Sequence, residues 1–257
     1  MNQQISIVMS SFLRSDLLDL GLSSIVKNKP DFPIEIVVVN DGKEDMTEEI
    51  CSKYSKYFEV KYFFSGHRNK NEIIFRGPAI SNNIGIRHST SEIVVLTCPE
   101  IFHLNTTLNR IVLPLLGNDK RITIPKSMYF DDTGEFTKNI SEGSAWNLRT
   151  CNIRQDHVQM PFLLGIWKKN LIEIGAYDED FIGYASEDND LMQRLITNGC
   201  KYYKVDAEIV HLYHGPRCPE GLMWDNPKWA YNRKLFESRK NKIIRNTDKD
   251  WGVLPGA

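Results

Sequence analysis

Four clusters in this chain combine side chains and spacings that could do chemistry. The first is Asp41, followed by Gly42, at the end of the apolar run Ile36-Val37-Val38-Val39-Asn40. A carboxylate there can accept hydrogen bonds from a uracil N–H or a ribose hydroxyl, although Asp-Gly is also a common turn. The second is Cys98-Pro99-Glu100, after the apolar run Ile93-Val94-Val95-Leu96. Glu100 could hold a divalent cation, which is one way to neutralise a diphosphate; Pro99 alone would make a strand-end turn. The third runs from Tyr177-Asp178-Glu179-Asp180-Phe181 to Ser186-Glu187-Asp188-Asn189-Asp190. Acidic residues are favoured at a helix N-terminus by its dipole, and a carboxylate there could also take a proton from a hydroxyl as a general base. Crowding of these acids predicts that repulsion raises the proton affinity of at least one. The fourth is His211-Leu212-Tyr213-His214. A continuing strand would send the two rings to opposite faces, and a turn could bring them together. Either imidazole could ligate a metal when neutral, or serve only the structure.

The elements needed to position these groups are legible in outline. Ile5-Ser6-Ile7-Val8-Met9 reads as a buried first strand and Ile34 to Val39 as a second, its unbroken apolar run suiting a parallel strand covered on both faces. A helix starting near Ser15, with Leu18, Leu22 and Ile25 at helical spacing, lies between them. Thr47 to Tyr57 reads as a helix and Val60 to Phe64 as a third strand. Strand, helix, strand, helix, strand predicts a doubly wound parallel sheet with right-handed crossovers. Ligands bind beyond the carboxyl ends of such strands, where Ser10, Ser11, Asp41 and Gly42 fall. Further on, the pattern predicts a helix from Gly77-Pro78 to about Arg87, a strand over Glu92 to Leu96, and a helix near Asn105 to Leu115. It then predicts a strand at Ile122-Thr123-Ile124, a helix near Lys168 to Ile174, a helix over Glu187 to Asn198 and a strand over Lys201 to His211. Residues 126 to 160 are polar and read as a long surface loop. The tail from Trp229 carries Arg233, Lys234, Arg239, Lys240, Lys242 and Arg245 and reads as a solvated helix with a frayed end.

Composition narrows the function classes. The 257 residues suffice for one large domain, and a net charge of −1 gives no global field for nucleic acid. Met1-Asn2-Gln3-Gln4 lacks the basic and apolar regions of a signal peptide, and the apolar runs are strand-sized. The five cysteines, Cys51, Cys98, Cys151, Cys200 and Cys218, are scattered without a Cys-x-x-Cys pair, so neither a disulfide framework nor a zinc knuckle is expected. A cytoplasmic location is the expectation.

The order of these clusters resembles the family 2 glycosyltransferases of the GT-A fold, over roughly residues 4 to 216. Ser10-Ser11-Phe12-Leu13-Arg14 after the first strand is similar to the family's nucleotide-contacting loop. Val37-Val38-Val39-Asn40-Asp41-Gly42 is similar to its hydrophobic run plus Asp-Gly. Gly77-Pro78-Ala79 with Asn83-Ile84-Gly85-Ile86 matches its Gly…Asn-x-Gly-Ile helix, with Asn82 where the family usually has Arg. Cys98-Pro99-Glu100 falls at its Asp-x-Asp, a departure that leaves one carboxylate. Gly175-Ala176-Tyr177-Asp178-Glu179 through Glu187-Asp188-Asn189-Asp190-Leu191, then Arg194-Leu195 and Gly199, is the most specific match. That region is similar to galactosyl- and N-acetylgalactosaminyltransferases. The resemblance implies an α/β, Rossmann-like, mostly parallel sheet flanked by helices in a single domain over 1–216, with 217–257 a basic extension. It implies a nucleoside diphosphate-sugar donor such as a UDP-sugar, a divalent Mn2+ or Mg2+, and a glycan or other hydroxyl acceptor. It also implies nucleotide contacts from Ser10, Ser11, Phe12, Arg14, Asp41, Gly42, Gly77, Asn83, Cys98 and Pro99, metal ligation by Glu100 with His211 or His214, Asp188 as base and Glu187 orienting the acceptor. With one base and no evident nucleophile, the resemblance also implies direct displacement with inversion.

Two other functions compete with this one. A sugar-1-phosphate nucleotidyltransferase would want a Gly-rich loop after the first strand, and Met9-Ser10-Ser11-Phe12 has no glycine. A catalytically silent sugar-binding relative would explain Cys98, but not the retention of both Glu187 and Asp188. Trp146, Trp167, Trp224 and Trp229 are candidate stacking platforms, each equally plausible as core. The basic tail could weakly contact an anionic membrane surface, though such charge runs are more often solvated faces.

Overall fold

A computed structural model describes residues 3–67, 77–155, 161–183, 185–215 and 227–254. Trp224 and Cys218 therefore lie outside the described residues. The elements in chain order are β1 (Ile5–Ser11), α1 (Ser15–Lys27), β2 (Ile34–Asn40), α2 (Thr47–Tyr54), β3 (Glu59–Phe64), α3 (Pro78–His88), β4 (Ile93–Thr97) and β5 (Ile101–His103). After them come α4 (Thr107–Val112), β6 (Arg121–Pro125), β7 (Ser127–Phe130), α5 (Glu135–Ser141), β8 (Asn152–Gln155), β9 (Leu163–Trp167) and α6 (Lys168–Glu173). The chain ends with α7 (Glu187–Thr197), β10 (Lys201–Val205), β11 (Ile209–His211) and α8 (Pro227–Arg239).

A seven-stranded sheet in the order β10-β6-β9-β4-β1-β2-β3 forms the centre. The β1, β2, β3 and β4 strands pair in parallel, and β1, β2 and β4 are buried along their whole length, as strands covered on both faces are. Alternation along β1 and β2 splits the core into two layers. Ile5, Ile7, Met9, Ile36 and Val38 pack with Leu18, Leu22 and Ile25 of α1 on one face. Val8 and Val37 pack with Ala79 and Ile86 of α3 and with Leu191 and Leu195 of α7 on the other. Each such fully buried aliphatic side chain stabilises the fold by about 1.5–3 kcal/mol. Gly85 fits here because a Cβ would meet Val8 Cγ1 at 2.4 Å, so α3 lies directly on β1.

Three sequence expectations are corrected. Residues 126 to 160 are not one loop: β7 and β8 pair antiparallel and join a second, four-stranded sheet ordered β5-β11-β7-β8. The stretch Lys201 to His211 is two strands in different sheets, β10 beside β6 and β11 beside β5 and β7. The tail does not simply fray after α8. Arg245 is 2% exposed and Asn246 is also buried, because the segment docks against the Gly175–Asp178 turn. The mostly parallel α/β architecture stands as expected, with β9 running antiparallel to both β4 and β6. No helix among the described residues is long and apolar enough to cross a membrane.

Candidate active site

Glu100 and the histidines are brought together by the second sheet. β5 and β11 pair antiparallel with His211 opposite Ile101, and the Leu212 amide donates to the Glu100 carbonyl at 2.9 Å. The chain turns after β11, which returns His214 to the same side as His211, with ring centroids 5.0 Å apart. Ligand atoms of Glu100, His211 and His214 all lie within 4.8 Å of one another. Two ligands about 2.1 Å from one cation are roughly 3–3.5 Å apart, so small side-chain rotations close the set. His211 is stacked on Phe130 at 4.9 Å and meets the edge of Phe162 at 5.0 Å. Burial pushes its pKa down to about 4, against a smaller upward pull from Glu100, so the ring is neutral as a metal ligand must be. Two imidazoles and one carboxylate therefore fit a divalent cation.

Arg14 shares this corner. Its guanidinium reaches His214 Nδ1 at 3.1 Å and Glu100 Oε2 at 3.9 Å. Arginine is donor-only, so His214 Nδ1 accepts and Nε2 carries the hydrogen toward Glu100 Oε1, 3.7 Å away.

Glu187 and Asp188 open α7 after two residues in the left-handed region, Ala185 at φ 91° and Ser186 at φ 71°. Such backbone is costly for residues with a side chain and is held here by neighbours. Asn232 of α8 supplies the hold: it donates to the Ile182 and Ala185 carbonyls at 2.7 and 3.1 Å and accepts from the Ile182 amide at 3.0 Å. The buried Tyr177 hydroxyl donates to Asp188 Oδ1 at 3.1 Å. The expected mutual repulsion of the acidic cluster does not arise in the Asp178–Asp180 half. Arg239 and Arg245 pair with Asp178, and Arg239 and Lys249 pair with Asp180, whose pKa is lowered chiefly by the Lys249 hydrogen bond. Those tail cations are turned inward, contrary to the solvated reading.

Two adjoining cavities lie at the rim. The narrower, about 90 Å³, is lined by Ser10, Pro78, Asn82, Cys98, Tyr177, Glu187 and Asp188 among others. The wider, about 830 Å³, is lined by Arg14, Cys98, Glu100, Phe162, Glu187, Asp188, His211, His214, Trp229 and Arg233 among others. Several expected nucleotide-contacting residues do not line either cavity. Asp41 is buried and accepts from the Gly77 amide at 2.9 Å, fixing the start of α3. Asn83 exchanges two hydrogen bonds with the Tyr177 backbone, at 2.8 and 2.9 Å, so it positions Tyr177, and its neighbour Asn82 reaches the cavity instead. Ser11 is buried against Thr47, Phe12 is buried, and Pro99 packs where α1 comes close, its carbonyl 2.7 Å from a Cβ added at Gly21. Gly42 and Gly77 shape turns beside these groups.

Of the tryptophans, Trp229 lines the wider cavity. Trp146 packs on Phe102 and Phe136, and Trp167 donates to the Leu115 carbonyl at 2.9 Å. Sequence reasoning missed Phe130, Phe162, Arg233 and Phe236 in the cavity wall; the helical spacing of 229, 233 and 236 was the available signal. The described cysteines are free thiols, and Cys98 lines both cavities.

A rim carrying a base candidate beside a metal-ligand set on a mixed α/β sheet is the arrangement of a GT-A glycosyltransferase domain. The model for glycosyl transferase family 2 matches residues 6–172, and the chain belongs to that family. A second model, the N-terminal domain of galactosyltransferase, matches residues 162–216. Among curated proteins, the chain is similar to the chondroitin synthase of Pasteurella multocida, 23% identical over 84% of this chain and 25% of that protein. It is similar to the hyaluronan synthase of Pasteurella multocida, 24% identical over 82% of this chain and 24% of that protein. The chain thus spans about a quarter of those relatives. Among solved structures, GalNAc-T7 with UDP, GalNAc and Mn2+ aligns with a TM-score of 0.65 and 16% identity, over 91% of this chain and 48% of that one. A mannosyltransferase from Pyrobaculum calidifontis with GDP-Man and Mn2+ aligns with a TM-score of 0.57 and 17% identity, over 85% and 59%.

Proposed function

We propose that this chain transfers a sugar from a nucleoside diphosphate donor, a UDP-sugar first among them, to a hydroxyl of a glycan acceptor. The observation that carries this reading is that Asp188, Glu187, Glu100, His211 and His214 share the walls of one cavity of about 830 Å³. Glu100, His211 and His214 would hold a divalent cation, which would supply charge neutralisation for the departing diphosphate. Asp188 takes the proton from the acceptor hydroxyl, held in orientation by the Tyr177 hydroxyl. Glu187, nearly buried at the same helix start, orients the acceptor. Arg14 adds a fixed positive charge on the leaving-group side. Ser10 and Asn82 in the narrower cavity face the donor, while Asp41 fixes that cavity's edge through Gly77 and Pro78.

Direct displacement by the activated hydroxyl inverts the anomeric centre. The printed names of the relatives, chondroitin and hyaluronan synthases, support a role in polysaccharide synthesis. The deciding experiment mixes the protein with Mn2+, a panel of nucleoside diphosphate-sugars and glycan acceptors, and follows product by NMR. Product with the inverted anomer supports the assignment of Asp188. A retained anomer, or release of diphosphate from a nucleoside triphosphate in place of sugar transfer, contradicts it.

A further inference from the structure

Helix α8 meets the rest of the molecule through a polar side chain. Asn232 is its buried residue, while Leu235 and Phe236 are half-buried and Tyr231, Arg233 and Lys234 are exposed. A surface helix ordinarily docks by an apolar stripe, whose grip has no direction. A carboxamide is more demanding: buried without partners it costs stability, so it holds only where donors and acceptors match. Asn232 finds that match on the backbone of one residue. Its Oδ1 accepts from the Ile182 amide at 3.0 Å and its Nδ2 donates to the Ile182 carbonyl at 2.7 Å, as two residues of an antiparallel ladder do. Nδ2 also donates to the Ala185 carbonyl at 3.1 Å.

That last bond bears on the base. The Ala185 carbonyl belongs to the peptide that joins Ala185, at φ 91°, to Ser186, at φ 71°. Ser186 caps α7, and its carbonyl accepts from the Asp190 amide at 2.9 Å. Glu187 and Asp188 follow directly. Residues with a Cβ stay in left-handed backbone only where their surroundings fix them. Rotation of this one peptide would swing the first turn of α7, and Asp188 with it. Asp188 is thus held twice, its carboxylate by the Tyr177 hydroxyl and its backbone by the Asn232 bond to Ala185. Resting on the reading of Asp188 as the base, we infer that Asn232 is a positioning residue for the transfer. It acts through the Ala185–Ser186 peptide and aims Asp188 at the acceptor hydroxyl.

The test compares Asn232→Ala and Asn232→Asp with the wild type in sugar transfer and in titration of UDP with Mn2+. Asn232→Asp has nearly the same shape, keeps the bond from the Ile182 amide and loses the donations to both carbonyls, so it carries the test if Asn232→Ala does not fold. Each is expected to lower kcat by about 10–10²-fold, the cost of misplacing a reacting group by about 1 Å. UDP affinity should stay within about threefold. Glycine occupies left-handed backbone freely, so adding Ala185→Gly and Ser186→Gly to either variant should restore part of the lost kcat. Lys234→Ala, at an exposed position of the same helix, leaves kcat in place. An unchanged kcat in the Asn232 variants, a parallel fall in kcat and UDP affinity, or a loss that the two glycines do not reduce overturns the inference. Hydrogen exchange at the Asp190 amide needs no substrate. It should quicken about tenfold in Asn232→Asp, with exchange in β1 and β4 as in the wild type. A wild-type chain that transfers no sugar removes the function and leaves the hold to be judged by exchange, where an unchanged Asp190 amide overturns it.

Discussion

The Tyr177 hydroxyl donates a hydrogen bond to Asp188 Oδ1 at 3.1 Å, joining a buried ring on the sheet side to the first turn of α7. The bond fixes one carboxylate oxygen at the edge of the cavity that both residues line. Asp188→Asn is expected to lower kcat by about 10²–10⁴-fold, the usual worth of a positioned base. Donor affinity should stay within about threefold, since uniform binding is untouched. Tyr177→Phe should cost about tenfold in kcat through misorientation. Steady-state kinetics with UDP titration separate the two terms, and near wild-type kcat in Asp188→Asn would remove it from the role of base.

The Glu100, His211 and His214 set predicts that Mn2+ raises the melting temperature of the wild-type chain, because ligand bound to the native state alone stabilises it. Glu100→Ala and His211→Ala should each abolish most of that rise without lowering the metal-free melting temperature greatly. Cys98 lines the same cavity, so Cys98→Asp adds a second carboxylate and should tighten Mn2+ binding about tenfold. Unchanged affinity in Cys98→Asp would place that position away from the ion.

Arg245 is the second bridge on which the site depends. It is 2% exposed and pairs with Asp178 at 2.8 Å and Asp190 at 2.7 Å, while Arg194 holds the other oxygen of Asp190 at 2.6 Å. Its backbone closes over Gly175, where an added Cβ would stand 2.2 Å from the Arg245 carbonyl and where φ is +74°. Removing Arg245 takes one of two cations from each of two buried carboxylates, leaving Asp178 with Arg239 and Asp190 with Arg194, so Arg245→Ala is expected to destabilise the fold by up to about 3–5 kcal/mol. Urea denaturation measures this; a loss below about 1 kcal/mol would show that the network relaxes freely.

His103 predicts an acid sensitivity. The side chain is buried, neither ring nitrogen has a hydrogen-bond partner among the described residues, and burial lowers its pKa to about 4. The unfolded chain binds the proton near pH 6.5. Between those values the unfolded state holds more protons, so stability falls as pH falls. The contribution is complete above about pH 6.5 and is lost toward pH 4, on the order of 2–3 kcal/mol at pH 4.5. Urea denaturation of the wild type and of His103→Phe at pH 7 and pH 4.5 should show the variant losing less by that amount. Parallel losses would contradict the assignment.

The parallel half of the sheet was legible because its strands announce themselves. Ile34 to Asn40 is buried along its whole length, and the apolar stretch Ile36 to Val39 signals that burial. The second sheet was not legible. Its strands are three or four residues long, and β8 is exposed throughout, so no periodicity marks them. Residue type identified Asp41 and Asn83 as polar groups near the rim. Only folding shows that the Gly77 amide and the Tyr177 backbone engage them. The inward turn of Arg239, Arg245 and Lys249 was likewise hidden, because their carboxylates lie more than fifty residues earlier in the chain. The helical spacing of Trp229, Arg233 and Phe236 was visible, but a run of basic residues around it read as solvent-facing.

β9 runs against both of its neighbours, pairing Leu163 with Thr97 at the rim end of β4. The chain therefore enters the sheet at the rim on this strand, whereas on β1, β2 and β4 it leaves there. Everything from Pro161 onward thus arrives at the reaction face as a fresh start, independent of how the earlier strands finished. The two family models overlap at this same strand, over residues 162–172. Grafts made within β9 should accordingly carry Tyr177, Glu187, Asp188, His211 and His214 across together, while Ser10, Arg14, Asn82 and Glu100 stay with the recipient.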